Sequence, residues 1–532
     1  MTFNTLPIDF KISKTLNQLV ADYINQDSKL KPFYSNYPDS NGFKEIIKTV
    51  ANQSIDRVIL VEELDRQHKS VSNTSITTLN NIQLLKNKNC YTVTTGHQLC
   101  LFTGPLYFIY KIFSTINLAE ELKNQFPEND FVPIYWMASE DHDFEEVNHF
   151  NVFGKTITWE SKQTGAVGDF KTKELETLVT QLKEIFGETE NGRYLFKLFS
   201  EAYLRYNNLK DATRYIVNEL FGNYGLVILD GNALSFKTQF VKHFKTDILK
   251  NLAYNKVTES INELEKLGYK AQVNPRSINC FYMEDGLRAR IEKQGDDYIV
   301  LGTDKKYTEA QLNELIENHP EKISPNVVLR PLYQQYILPN IAYVGGPGEL
   351  AYWLQYKSLF EAFNINYPLL VPRTFITVIE KNIKSKLEKL NFSEGDIFKE
   401  EIELVKEFQI KANATFELDS EKKIIENLFA EIQTKINTVD KTLNAAVSAE
   451  QQKATGSLDI LTAKANKALK QKLDTEINQI KNIKQKLFPN TTPQERFDNF
   501  STFYLKYGND LFTELKKVTN PLGLKHLTLV ED

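Results

Sequence analysis

"CYTVTTGHQLCLFTGPLYFIYKIFSTINLAEELKNQFPENDFVPIYWMAS", residues 90–139, decides how the fold is read. It opens on a β-prone run, Cys90 to Thr95, whose β-branched and aromatic side chains suit a pleated, buried surface. Gly96 follows directly. Gly104 then precedes "PLYFIYKIFSTINLAEELKN" (105–124), a stretch of helix length. Pro105 suits the first turn of that helix, because its missing N–H would have no partner there. "DFVPIYWMAS" (130–139) returns to strand character. A strand, a helix and a second strand in this order predict a right-handed crossover between parallel neighbours.

Three more strands are expected in "YGLVILD" (224–230), "LPNIAYVGGPGE" (338–349) and "INYPLLVPRT" (365–374). The fold class is therefore α/β with a mostly parallel sheet. Between about 151 and 330 the pattern is mixed, and "KAQVNPRSINCFYMEDGLRARIEK" (270–293) and "DDYIVLGTD" (296–304) read as antiparallel pieces of an inserted lobe.

After residue 375 glycine and proline almost vanish. Ile425, Leu428, Ile432, Ile436, Val439 and Leu443 recur at helical spacing, and Leu458, Leu461, Ala465, Leu469, Leu473, Ile477 and Ile480 nearly repeat it. Between them "KATGS" (453–457) offers Gly456 as a turn residue. The pattern predicts two long helices packed as an antiparallel coiled-coil hairpin with its corner at 453–457. Ile376, Ile379, Ile383, Leu387 and Leu390 predict a shorter helix leading into this arm. "PQERFDNFSTFYLKYGNDLFTELKKV" (493–518) regains aromatics and is expected to return to the main body.

At 532 residues the chain exceeds the usual single-domain range, and 41% apolar residues can build a substantial core. A net charge of −5 speaks against a general nucleic-acid binder. Three cysteines without a CxxC pair fit a reducing compartment. No N-terminal signal pattern and no run near the ~18 apolar residues of a membrane span are present, so a cytoplasmic, soluble protein is expected, with neither nucleic acid nor membrane as partner.

Three loops look chemical. In "TTGHQLCLFTGP" (94–105), Gly96, His97, Gln98, Thr103 and Gly104 stand between a strand end and a helix start, where backbone N–H groups receive anions. Thr94 to His97 also matches a short T-x-G-H pattern of nucleotidyl-transfer enzymes, while a plain turn explains the glycines equally well. "SEDHDF" (139–144) gathers Glu140, Asp141, His142 and Asp143 at the end of the second strand, which is how groups are tuned for acid–base work. A metal is one alternative there, but no HExxH or paired-cysteine spacing exists and no residue is assigned to one. "YVGGPGELAYW" (343–353) offers Gly345, Gly346, Gly348, Glu349 and Tyr352. Upstream, Asn326 and Arg330 are candidates for holding a carboxylate or phosphate. Arg288 and Arg290 in the inserted lobe fit the same role or a structural ion pair.

Taken together, "TGHQLCLFTGPLYFIYK", "PIYWMASEDHDFEEVNH", "SPNVVLRPLYQQYILPNIAYVGGPGELAYWLQ" and "QERFDNFSTFYLKYG" resemble the bacillithiol-biosynthesis cysteine-adding enzyme family, essentially end to end. The resemblance implies a Rossmann-like core with connecting lobes and a C-terminal coiled coil used in dimerisation. The organisation expected is a first core part over 1–150, connecting lobes mixed with core strands over 151–330, a second core part over 331–375, the helical arm over 376–490, and a C-terminal segment, 491–532, returning to the core. The activity implied is a ligase step, the last of bacillithiol synthesis. It joins cysteine by an amide bond to the glucosamine amine of glucosaminyl-malate.

Under that resemblance Asp141, His142 or Asp143 would serve as base, and the glycine loops with Arg330 would hold malate, the cysteine carboxylate or phosphate. ATP, with Mg as its companion ion, is expected from the reaction class, since no KMSKS-type motif is present. In the family glutamine often stands where this chain has His97, which points to a hydrogen-bonding contact there instead of a proton carrier. Two other readings stand beside this one: a metal-dependent hydrolase or nucleotidyltransferase built on Asp141 to Asp143, and a non-catalytic coiled-coil scaffold.

Overall fold

The computed structural model describes residues 2–412 and 416–532. All five expected core strands form, as β1 (Cys90–His97), β2 (Asp130–Met137), β3 (Val227–Asp230), β4 (Asn340–Gly345) and β5 (Leu369–Pro372). They make one parallel sheet in the order β5-β4-β1-β2-β3. The fold is thus a Rossmann-like α/β sheet with inserted lobes and a C-terminal helical arm.

Both faces of the sheet are covered, as a parallel sheet requires. On β2, Val132, Ile134 and Trp136 join one apolar core, while Tyr135 and Met137 face the other. The crossover helix α1 (Tyr107–Gln125) packs Ile109, Phe113 and Ile116 into the second of these cores. Chain order and spatial order reverse between β1 and β4. A buried amide bridges that boundary: Asn340 Oδ1 accepts from the Thr92 and Thr94 hydroxyls at 3.2 and 2.8 Å, beside a register shift between Asn340 and Ala342.

The inserted lobe is an antiparallel sheet of Cys280–Glu284, Leu287–Gln294, Asp297–Val300, Lys306–Thr308 and Ile323–Pro325. After it come α3 (Arg330–Ile337) and α4 (Pro347–Trp353). Earlier in the chain, α2 (Leu234–Lys250) follows β3.

The loop after β1 is held in an unusual shape by the returning C-terminal segment. Phe102 and Thr103 have φ of 47° and 70°, and Gly104 has 64°. Two successive non-glycine residues in the left-handed region carry strain that their surroundings must hold. The Asn499 amide donates to the Phe102 and Gly104 carbonyls at 2.8 and 2.6 Å, and the Tyr203 hydroxyl accepts the Phe102 N–H at 2.7 Å. A second tie is buried: Arg373 grips Glu495 with two donors, one at 2.9 Å, and both side chains are almost fully covered.

The chain divides into two compact units, Met1–Val378 with Pro493–Val530, and Ile379–Thr492. In the second, α5 (Asp419–Ile436) packs antiparallel on α6 (Asn444–Lys472), and α7 (Asp474–Leu487) follows. The hairpin corner lies at 437–443, not at 453–457. Asp440 makes it, accepting from the backbone N–H and hydroxyl of Thr442 at 2.8 Å each. "KATGS" stays inside α6, where the Thr455 and Ser457 hydroxyls are satisfied by the Gln451 and Lys453 carbonyls at 3.1 and 2.9 Å and the interior glycine costs only about 1 kcal/mol. A second correction concerns Ile376 and Ile379. They belong to the strand Phe375–Ile379, which pairs with His526–Glu531, and the helix begins only at Lys381. The β-branched run "FITVI" favours the strand.

Gly456 therefore sits in a helix interior, with nothing within 4 Å of a Cβ added there. Gly456→Ala is expected to stabilise α6 by about 0.5–1 kcal/mol, seen as slower amide hydrogen exchange across residues 444–472. Faster exchange would restore the turn at this glycine.

Candidate active site

A cleft of about 680 Å³ opens at the carboxyl ends of β1, β2 and β4, roofed by the inserted lobe. This is where an open parallel sheet places ligands, beside the point at which strand order reverses. Gly96, His97 and Gln98 enter it from β1, and Glu140, Asp141 and His142 from the loop after β2. Asn326 and Arg330 line it before and at the start of α3, and Gly346, Gly348, Glu349 and Tyr352 line it around α4. Thr103, Gly104, Asp143 and Gly345 lie outside its lining. Thr103 and Gly104 form the clamped turn described above, and Asp143 is exposed.

Glu349 organises the inner wall. Its carboxylate accepts from Lys111 Nζ at 2.9 and 2.8 Å, from the Tyr343 hydroxyl at 2.7 Å and from the Gly346 N–H at 2.9 Å. Lys111, 1% exposed, also donates to the Gly96 carbonyl. Burial pushes the Glu349 carboxyl up, but Lys111, the Gly346 N–H and Tyr343 outweigh it and hold the group below the usual carboxylate range. Arg330 lies against Gly96 and donates to Gln334 at 3.0 Å. A side chain at position 96 would meet the Tyr343 hydroxyl at 3.3 Å, so glycine keeps this approach open.

The outer wall has a different composition. Gln98 donates to both Asp141, at 2.8 Å, and Glu146, at 2.6 Å, holding two carboxylates close together. Asp141 also accepts the His142 N–H at 2.8 Å. Glu140 turns away to the fully buried Lys237 of α2, 2.6 Å distant. Asn326 spends its side-chain oxygen on the Val328 and Leu329 N–H groups, at 2.8 and 3.2 Å, and so shapes the loop before α3.

Several lining residues were not among the expected ones: Tyr107, Lys111, Arg276, Tyr343, Arg373 and Arg496, together with the Arg288 and Arg290 whose role was open. Lys111 left a signal, a single cation inside the apolar run "LYFIYKIFSTI". Seven cationic and four anionic side chains line the cleft, an excess of positive charge in a chain of net −5. Among the described residues Arg276, Arg290 and Arg496 have no ion-pair partner. Arg373 Nε is buried without a hydrogen-bond partner at the same cleft. Among the described residues no group of three or more His, Cys, Asp or Glu side chains could hold a metal ion, and no helix is long and apolar enough to cross a membrane.

Such a cleft, rich in arginine and set over the strand reversal of a parallel sheet, defines a Rossmann-like protein with a candidate small-molecule site. Comparison with known proteins narrows the class. The N-terminal Rossmann-like domain of bacillithiol biosynthesis BshC matches residues 1–374, and its C-terminal coiled-coil domain matches residues 376–531. A Flavobacterium johnsoniae protein is 41% identical over 520 residues, covering 97% of this chain and 98% of its own. Proteins of Flavobacterium psychrophilum and Christiangramia forsetii are 40% and 39% identical, each match covering 97% of both chains. All three carry the name "Putative cysteine ligase BshC". The chain belongs to the BshC family.

His97 is 9% exposed, edge-on to Tyr107 with ring centres 5.4 Å apart, and its Nε2 lies 3.7 Å from Cys100 Sγ. Burial first, then Lys111, pushes its pKa down to about 3. The unfolded chain therefore takes up this proton first as pH falls, and stability held above the ordinary value of 6.5 is lost progressively toward 3. Between pH 6.5 and 5 this one group costs about 2 kcal/mol. His97→Gln is expected to remove that part of the acid destabilisation in urea titrations. An unchanged pH slope would contradict a neutral His97.

Proposed function

We propose that the protein is the cysteine ligase of bacillithiol biosynthesis, joining the carboxyl group of cysteine to the glucosamine amine of glucosaminyl-malate in the cytoplasm. The supporting observation is the charge of the cleft lining, which combines Arg276, Arg290 and Arg496, none of them in an ion pair among the described residues, with the Asp141–Glu146 pair bridged by Gln98. Malate brings two carboxylates, and an arginine fork holds each one with matched geometry. The amine arrives as an ammonium and must lose a proton before it can attack. Asp141 is the base in this reading. Its Oδ2 is held by Gln98, and its other oxygen meets the His142 N–H.

ATP, when bound, supplies the activation of the cysteine carboxyl. The residues fit a phosphate: Gly348 leaves backbone open at the cleft, and the buried Arg373 Nε has a donor to spare. Lys111 is already committed to Glu349 and Gly96, so its part is to keep this wall in place.

Purified protein with cysteine, glucosaminyl-malate and ATP is expected to form bacillithiol, detected by mass spectrometry. Asp141→Asn should lower kcat by about 10²–10⁴-fold. No product with any nucleotide or divalent ion would refute the assignment.

We also propose that two copies associate through the arm. Ile424 and Leu428 on α5 and Ile460 and Leu461 on α6 are all more than half exposed, more apolar surface than a solvated hairpin needs. Sedimentation should give a dimer that Leu428→Glu with Leu461→Glu converts to monomer. A monomeric parent protein would remove the proposal.

A further inference from the structure

We propose that His142 meets the substrate as a neutral hydrogen-bond donor through Nε2, locked in that tautomer by Arg288, and so holds an anionic substrate oxygen instead of accepting a proton. The inference rests on the ligase reading for its chemistry, but its geometry stands by itself.

Arg288 Nη1 lies 2.7 Å from His142 Nδ1. A guanidinium has five N–H donors and no acceptor, and it stays protonated in proteins. At this distance Nδ1 must present its lone pair. The single proton of a neutral imidazole then sits on Nε2, the nitrogen left free of Arg288. To act as a base through Nε2, the ring would have to move its proton to Nδ1 and face Arg288 donor to donor.

Arg288 cannot easily yield. Its Nε donates to Ser324 Oγ at 3.0 Å and its Nη2 to the Pro325 carbonyl at 3.2 Å. Its plane lies 4.0 Å over the Phe281 ring, which also packs against the His142 ring at 5.3 Å. The Arg288 side chain is 6% exposed, whereas that of His142 is 45% exposed and lines the cleft. One residue is therefore fixed scaffold and the other a presented group.

The charges around the ring favour the neutral form. Burial and the cations Arg288 and Arg290 oppose an imidazolium, while Asp141 and Asp143 favour it, and the first set prevails. In amide formation the amine nitrogen bonds to the activated carboxyl carbon. The carbonyl π pair moves onto oxygen, and the amine proton passes to the Asp141 carboxylate; the oxygen pair then re-forms the carbonyl as the bond from carbon to the activating phosphate-type group breaks, and that group leaves with the bonding pair. A neutral donor is suited to that oxygen, because it strengthens its bond as charge develops without first losing a proton. Arg288 is a positioning residue in this scheme, acting on the ring through His142 Nδ1, while it also lies 4.0 Å from Asp141 Oδ1.

The test reads the tautomer directly. Long-range ¹H–¹⁵N spectra of full-length protein labelled at its histidines, with the His142 signals assigned by their loss in His142→Gln, should show a pyridine-type Nδ1 and a pyrrole-type Nε2 at neutral pH. A protonated Nδ1, or an imidazolium, would overturn the proposal. In Arg288→Met the ring should mix tautomers, and Arg288→Lys, which retains a donor, should restore the lock. An unchanged ring in Arg288→Met would remove Arg288 from its role.

Activity gives an independent reading. His142→Gln keeps an N–H donor but cannot serve as base, so its kcat/KM should stay within about tenfold of the parent. His142→Leu should lose about 10²–10³-fold. Equal loss in both variants would make His142 the base. If the protein makes no bacillithiol, the ligase reading fails, while the spectrum still decides the tautomer.

Discussion

One buried carboxylate, Glu349, ties together the elements that make the cleft. It receives Lys111 from α1, Tyr343 from β4 and the N–H of Gly346 at the start of α4, while Lys111 reaches on to the Gly96 carbonyl at the end of β1. A carboxylate out of water is costly unless its lone pairs are satisfied and its charge is matched. Removing one partner of such a pair leaves the other charge buried, at about 3–5 kcal/mol. The sheet can therefore reverse its strand order here only with these four elements in register. That constraint leaves the inner wall rigid and assigns its charges to structure, so the groups free to meet a substrate lie mostly outward of it.

The strands were legible because each is a short run of apolar and β-branched residues, three of them bounded by glycine or proline, and covering both faces of a parallel sheet demands such runs. Their convergence on one edge followed from topology, and it brought most of the three loops together. The arm was legible in kind but not in register. Helical spacing recorded the two faces, yet a glycine costs a helix interior only about 1 kcal/mol, which the packing of α5 on α6 absorbs. The corner fell instead at Asp440, whose side chain supplies its own turn. Ile376 and Ile379 fit helical spacing by chance and were claimed by the strand pairing of a distant segment.

Within the site the residues from the inserted lobe were the hardest to read. Arg276, Arg288 and Arg290 look like ordinary surface arginines in a stretch of short strands, and only the folding of that lobe over the sheet carries them to the cleft. The C-terminal Arg496 is as remote in sequence. Long-range placement of this kind leaves no local pattern. Lys111 differed: a cation in an apolar helix face must find a buried anion, and that requirement is visible in the sequence even though Glu349 is not.

Two histidines show how far environment outweighs residue type. His97 stands in a motif that elsewhere handles phosphates, but Tyr107, Phe108 and the nearby Lys111 strip it of any proton exchange near neutral pH. A glutamine in its place would keep shape and polarity, which agrees with a contact residue. His142 sits among carboxylates, a setting that by itself favours a charged ring and a base. Burial and the guanidiniums of Arg288 and Arg290 reverse that expectation, and the donor pressed against Nδ1 dictates which nitrogen holds the proton. On the proposed reading, proton acceptance then falls to a carboxylate, and the imidazole is left to hold charge on oxygen.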